Sequence, residues 1–342
     1  MIGLVRKTVL PVLIAATLML GGCLNQPRMR MGCLPTSTPF GNFANPEKLG
    51  KHSYGYENAL LEVDGIVYTC AAGHIDITHL RWNADYTRYL INRTRSTLMK
   101  NGKGYSFKIV FEPSTHQVRF KYPDNWDDLP KDEKEKIAEE IAFSVGPYVA
   151  FAATTWHEML TWAGTHFFAI EPEANSAFSW EDNYSNLLGT HLAVKAMRDP
   201  DRSYNDAMQI LLEEQLDKLG VQPRKVALAS AEKMRGQWFH GNFAVETTMK
   251  NFDIGLDGTI SPTVIPGVDG CSQQPVSYET FDLDVLDKYG VEMTYRIFPN
   301  VFEASKFYKM VGEKEIYPVK HYPIIIEKIK EEATDRGYNY DS

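Results

Sequence analysis

Residues 141–170 hold a single formal charge, Glu158, and that constrains the fold of this 342-residue chain more than any other stretch does. Apart from Tyr148, the only other titratable side chains among these thirty are His157 and His166. From 147 to about 163 the sequence is apolar nearly all round, the pattern of a helix buried at the centre of a domain. Gly146-Pro147 predicts a break or restart, with Pro147 in a first turn. A membrane-spanning helix is argued against by length: the apolar run from Pro147 meets His157-Glu158 after ten residues, about half of the ~20 a span needs. A carboxylate inside such a helix is costly unless it is paired, protonated or beside a cation. Glu158 therefore needs a partner from another segment.

The surrounding pattern predicts an α+β fold with a mainly helical core. A helix begins after Gly73 with Asp76 as N-cap; Ile77, Leu80, Ala84 and Ile91 form its apolar face, and Asp76, His79, Asn83 and Tyr86 line up on another. Arg81, Asp85 and Arg88 form a charge ladder that reads as a solvated face. Strands at 105–111 and 117–122 make a hairpin. Ser179-Trp180-Glu181-Asp182 and Ser203-Tyr204-Asn205-Asp206 both carry the capping signature of a helix start, near Ser179 and Ser203. Gly220 closes the second of these helices, and a short helix follows at 224–235. Short strands around 252–263 and 291–298 and a helix at 323–336 complete the C-terminal third.

Residues 1–22 read as an export signal. Arg6 and Lys7 precede an apolar run, and Leu20-Gly21-Gly22-Cys23 fits a bacterial lipobox, in which Cys23 becomes acylated and N-terminal. Two or three acyl chains hold a soluble domain firmly on a membrane, as one would not. Leu24, where an Asp would favour retention at the inner membrane, points to the outer membrane, facing the periplasm. Residues 23–50, rich in Pro, Gly, Asn and Thr, read as a lipid-anchored flexible tether, and 51–342 as one globular α+β domain. With 36 Lys+Arg against 44 Asp+Glu, the net charge of −8 excludes a general nucleic-acid binder. Of Cys33, Cys70 and Cys271, two can pair in an oxidising compartment, and the sequence leaves open which.

The chemistry gathers around His157-Glu158. A zincin helix needs a second histidine one turn on, and Thr161 stands there. Further metal ligands must come from elsewhere: Asp76 and His79 share a helix face at a spacing used by carboxylate–histidine sites, with His74 just before them, and Glu181-Asp182 place two carboxylates at a helix start. Both acidic positions also suit plain capping. His166 and His191 read as packed or hydrogen-bonded core residues. Cys70, near His74, is a candidate thiol nucleophile, though a buried or disulfide-bonded state suits its surroundings better.

Three blocks, GIVYTCAAGHIDITHLRW (65–82), TTWHEMLTWAG (154–164) and SAFSWEDNYSNLLGT (176–190), together resemble a family of bacterial lipoproteins known as domain of unknown function 4056. The resemblance implies an exported, lipid-anchored protein and carries no activity. Two main readings stand. In one, the protein is a divalent-metal-dependent hydrolase of cell-envelope substrates: Asp76, His79, His157, Glu181 and Asp182 hold the ion, zinc first, and Glu158 is the general base. In the other, it is a non-enzymatic scaffold or envelope-binding module with a buried polar network and a protein partner. A Cys70 thiol hydrolase is a third. The metal reading needs His79, His157 and a carboxylate around one point; the network reading predicts direct Asp–His or Glu–Arg pairs.

Overall fold

The computed structural model describes residues 26–341 except 31, 40, 58, 111, 113, 165–175 and 244. The fold is α+β, with eight α-helices and several small sheets among the described residues. A hairpin of β1 (Ile66–Thr69) and β2 (Gly73–Asp76) feeds straight into α1 (Ile77–Met99), so the last residue of β2 is the N-cap of the helix. Helix α1 is the central element, packed between α2 (Lys131–Trp162) and α3 (Asp182–Met197). Two glycines permit that closeness. A Cβ on Gly146 of α2 would lie 2.7 Å from the backbone nitrogen of Ile91, and one on Gly189 of α3 would lie 2.0 Å from the carbonyl oxygen of Leu80. Any side chain at either point would push the helices apart.

Helix α2 runs through Pro147 without a break, contrary to the expected interruption. An interior proline removes one helical hydrogen bond and strains the preceding turn, at a cost of about 3 kcal/mol. Here the flanking Val145, Val149 and Ala150 are fully buried, and burial of that order offsets the loss.

The predicted hairpin is present as β3 (Gly104–Phe107) and β4 (Thr115–Lys121). Helix α4 (Tyr204–Lys218) is capped by Ser203, whose hydroxyl accepts from the Asp206 N–H. Strand β5 (Val221–Gln222) pairs with β1, and helix α5 (Arg224–Lys233) follows. After the short helix α6 (Asp284–Tyr289), strand β6 (Glu292–Phe298) adds to the free side of β4. Helix α7 (Val301–Val311) leads to α8 (Pro318–Asp335), which begins five residues before the predicted start and contains Pro323. The third helix starts at Asp182 and not near Ser179; the Ser179 N–H donates to the Asp182 carboxylate over 2.7 Å, so the capping pair closes the turn before the helix.

Two sequence expectations fail together. The composition of residues 23–50 predicts a tether, but their described part is built into the fold: Arg30, Phe43, Ala44 and Leu49 are buried, and the Ala44 N–H donates to the Ile66 carbonyl. This segment and residues 52–64 cover the face of α1 expected to be solvated, so Arg81 and Asp85 are fully buried. Cys70, at the β1–β2 turn, forms a disulfide with Cys271, and Cys33 is the free cysteine among the described residues. In this state Cys70 has no thiol to act as nucleophile. Among the described residues no helix is long and apolar enough to cross a membrane. Cys23 and His166 lie outside them.

Candidate functional site

The three sequence blocks meet in space. Asp76 and His79 come from the start of α1, Glu158 from the last turns of α2, and Glu181 and Asp182 from the start of α3. The His79 ring is the hub. Its Nδ1 lies 3.0 Å from Asp76 Oδ2 and 3.3 Å from Asp182 Oδ1, while Nε2 faces Glu158 Oε1 at 4.0 Å. All four carboxylates are buried, and 15% of the His79 side chain remains accessible.

Asp76 is fully engaged. Its Oδ1 accepts from the Thr78 N–H, the capping role the sequence predicted, and Oδ2 accepts from His79 and from the Cys33 N–H. Burial alone would raise its carboxyl, but His79 and these hydrogen bonds outweigh that and hold it below the usual range. For His79 burial opposes the charge, and Asp182 and Asp76 outweigh it, keeping the imidazole well above the usual histidine value. Glu158 Oε2 accepts from the Phe178 N–H over 2.9 Å. Burial, followed by the neighbouring carboxylates, pushes Glu181 and Asp182 well above the ordinary range. Neither carboxylate oxygen of Glu181 accepts a hydrogen bond from another residue among those described. Lys250, fully buried in a short strand, donates to the Ala177 carbonyl; burial brings its ammonium down to about 8, against the pull of Asp182 and Glu158.

His157 departs from the expected ligand set. Neighbouring residues on a helix point about 100° apart, so with Glu158 aimed at His79, His157 turns elsewhere. Its Nδ1 lies 3.6 Å from Glu112 Oε2, and its ring meets the edge of Trp82. Glu112 also receives His116 Nε2 at 3.1 Å, and the other nitrogen of His116 lies 2.8 Å from the Tyr295 hydroxyl. Sequence reasoning missed Glu112 and Lys250. Glu112 carried a usable signal: a lone carboxylate between Val110-Phe111 and Pro113, the same kind of feature that marks Glu158. His74, placed by the sequence beside the candidate ligands, is a buried core residue, and half-buried His191 is hydrogen-bonded, as expected. His74 accepts from the Trp180 indole and pairs with the Ala227 carbonyl, and His191 pairs with the Glu279 carbonyl.

The direct Asp76–His79 and Glu112–His157 pairs match what the network reading requires, each histidine pairing with a different carboxylate. Among the described residues no group of three or more His, Cys, Asp or Glu side chains stands in the arrangement that would hold a metal ion. The site as it stands is a buried, carboxylate-rich acid–base cluster on an α+β scaffold. The model of the family described as "Protein of unknown function (DUF4056)" matches residues 27–249, and the chain belongs to that family. No curated protein and no solved structure matches it.

Proposed function

We propose that the protein is a lipid-anchored envelope protein, held by Cys23 to the outer membrane and facing the periplasm, and that its His79 cluster is the divalent-metal centre of a hydrolase. The observation that carries this reading is unmatched charge. Four buried carboxylates (Asp76, Glu158, Glu181 and Asp182) face His79 and Lys250, and Glu181 receives no donor from another described residue. Burial holds the Glu181 and Asp182 carboxyls well above their ordinary range, so the cluster favours added positive charge, and a divalent cation could supply it.

Two of the cluster's donors face a gap in which such an ion could sit. Asp76 holds His79 Nδ1 and so orients the ring, as a carboxylate behind a ligating histidine does. That leaves Nε2 facing Glu158 Oε1 across 4.0 Å, too long for a hydrogen bond and wide enough for an ion with ligand distances of about 2 Å. His79 Nε2 and Glu158 would hold the ion, with Asp76 and Asp182 behind the ring at Nδ1 and His157 outside the set. A bound ion would supply Lewis-acid polarisation of a scissile carbonyl or phosphoryl group. Glu181, with its raised carboxyl, would carry the proton between water and leaving group. The substrates at hand in that compartment are cell-wall peptides, glycans and lipids.

The test is elemental analysis of the mature protein, purified without chelator or nickel resin. Near one zinc, iron or manganese per chain, lost in His79→Ala, is expected. Calorimetry in buffers of different ionisation enthalpy should then read proton release on ion binding, because His79, held protonated by its carboxylates, ligates only as the neutral imidazole. A protein that binds no ion, and whose stability ignores chelator, ends the metal reading. The direct Asp76–His79 pair supports the alternative, a scaffold whose polar network fixes helix packing; there His79→Ala destabilises the fold and no ion is found.

A further inference from the structure

We propose that the loop carrying Tyr56, Leu60, Leu61 and Val63 is a membrane-contacting surface, a second attachment to the lipid bilayer beside the acylated cysteine. Four of the ten large apolar side chains exposed among the described residues fall in this short segment, and Leu60 is 100% exposed. Scattered surface leucines need no explanation, whereas a contiguous group does.

Its position commits it to one partner. Arg28 and Arg30 both pair with Glu62, and the Val63 N–H donates to the Leu49 carbonyl, so the first described residues of the chain are clamped to the same loop. Arg28 lies five positions after Cys23, and even fully extended that stretch spans at most roughly 18 Å. A chain acylated at Cys23 therefore cannot carry this loop far from the bilayer. The exposed charges nearby cancel, Lys48 and Lys51 against Glu47 and Glu57, so the contact is apolar and has no call for anionic lipid. Acyl chains at Cys23 would already supply firm anchoring, and the loop would supply orientation. The segment that begins at Arg28 continues over His79, with Gly32 so near that a Cβ would lie 2.8 Å from the ring. A docked loop would thus hold the His79 centre at a fixed height above the membrane. The proposal rests on the lipid-anchored reading, and its test separates the two.

The mature protein is purified from membranes, its acylation is read by intact mass, and Leu60→Trp is compared with the unsubstituted chain in zwitterionic vesicles made with or without brominated acyl chains. The six native tryptophans are buried or half-buried, so the added one dominates any difference. The expected result is loss of Leu60→Trp emission in brominated vesicles, equal at low and high salt, and abolished by adding Leu61→Asp. An acylated protein whose added tryptophan ignores bromine overturns the loop contact and spares the anchor. If the mass shows no acylation, the anchor reading falls, and quenching by added vesicles still decides the loop in either direction. A dimer in solution that Leu60→Asp/Leu61→Asp abolishes, without quenching, overturns the proposal by assigning the patch to a second copy of the chain.

Discussion

Helix α1 carries two buried ionic clusters, and they differ in arithmetic. Around Arg81 and Asp85, three guanidinium groups (Arg28, Arg30, Arg81) meet three carboxylates (Glu62, Asp64, Asp85), with His52 bridging Glu62 and Asp85 at 3.3 and 3.0 Å. Around His79, four carboxylates meet one imidazole and Lys250. One N-terminal segment touches both, since Arg30 enters the first cluster and the Cys33 N–H reaches Asp76 in the second. Burying charge is costly in either place. Where the charges cancel, the cluster is explained by structure alone. Where they do not, protons or a cation must make up the difference, and the proposed metal centre rests on that difference.

The largest expected effect comes from breaking the balanced cluster. Asp85 accepts from His52, Arg30 and, at 3.4 Å, the Tyr204 hydroxyl. Asp85→Ala strands those donors in the interior and should cost about 3–5 kcal/mol in urea unfolding, the range for removing one partner of a buried pair. A loss within that of ordinary surface substitutions would mean the cluster is wetter than its burial implies, and the contrast with the His79 cluster would dissolve.

The two clusters should also fail at opposite ends of the pH scale. In the Arg81 cluster burial would raise Asp85, but His52 and Arg30 outweigh it and hold it low. Its contribution is present above its unfolded value and lost as pH falls through the folded one. Glu181 and Asp182 are raised, so their contribution is fully present below their unfolded values near 4.5 and 3.8 and is lost as pH rises through the folded values. His79, also raised, adds a contribution that is lost as pH climbs above about 6.5. Chemical unfolding of metal-free protein across pH 5–8 (roughly the range in which histidine titrates) should show this decline set against the rise contributed by His52, His74, His191 and His321, all lowered by burial, and a profile unaltered by Glu181→Gln would contradict the buried excess. Glu181→Gln should lessen the decline and leave the metal-free protein unchanged or about 1 kcal/mol more stable, opposite in sign to Asp85→Ala. Equal destabilisation by both substitutions would erase the distinction.

How much of this was legible in the sequence follows from what leaves a periodic trace. The lone charge in an apolar helix located Glu158, and the Asp76/His79 spacing located the hub, because helix periodicity fixes which residues share a face. Nothing periodic marks residues 26–64, an irregular segment held by single backbone bonds such as Ala44 to Ile66. An Arg81/Asp85/Arg88 ladder looks the same whether water or that segment covers it, so its burial was out of reach. The pairing of His157 with Glu112 needed the position of β4 and its approach loop, which connects segments far apart in sequence.

The smallest effect tests whether His157 belongs to either cluster. Burial would lower its imidazole, and Glu112 ahead of Glu158 outweighs this and raises it. Glu112→Gln keeps the shape and removes the charge, so the His157 titration followed by NMR should move down toward or below the ordinary histidine value. The stability lost should be about 1 kcal/mol, present below the unfolded value near 6.5 and vanishing as pH rises through the folded one. His79, held by Asp182 and Asp76, should titrate as before. If His157 instead keeps its raised value in Glu112→Gln, Glu158 is what raises it. His157 would then belong to the His79 centre, which would hold two imidazoles against its four carboxylates.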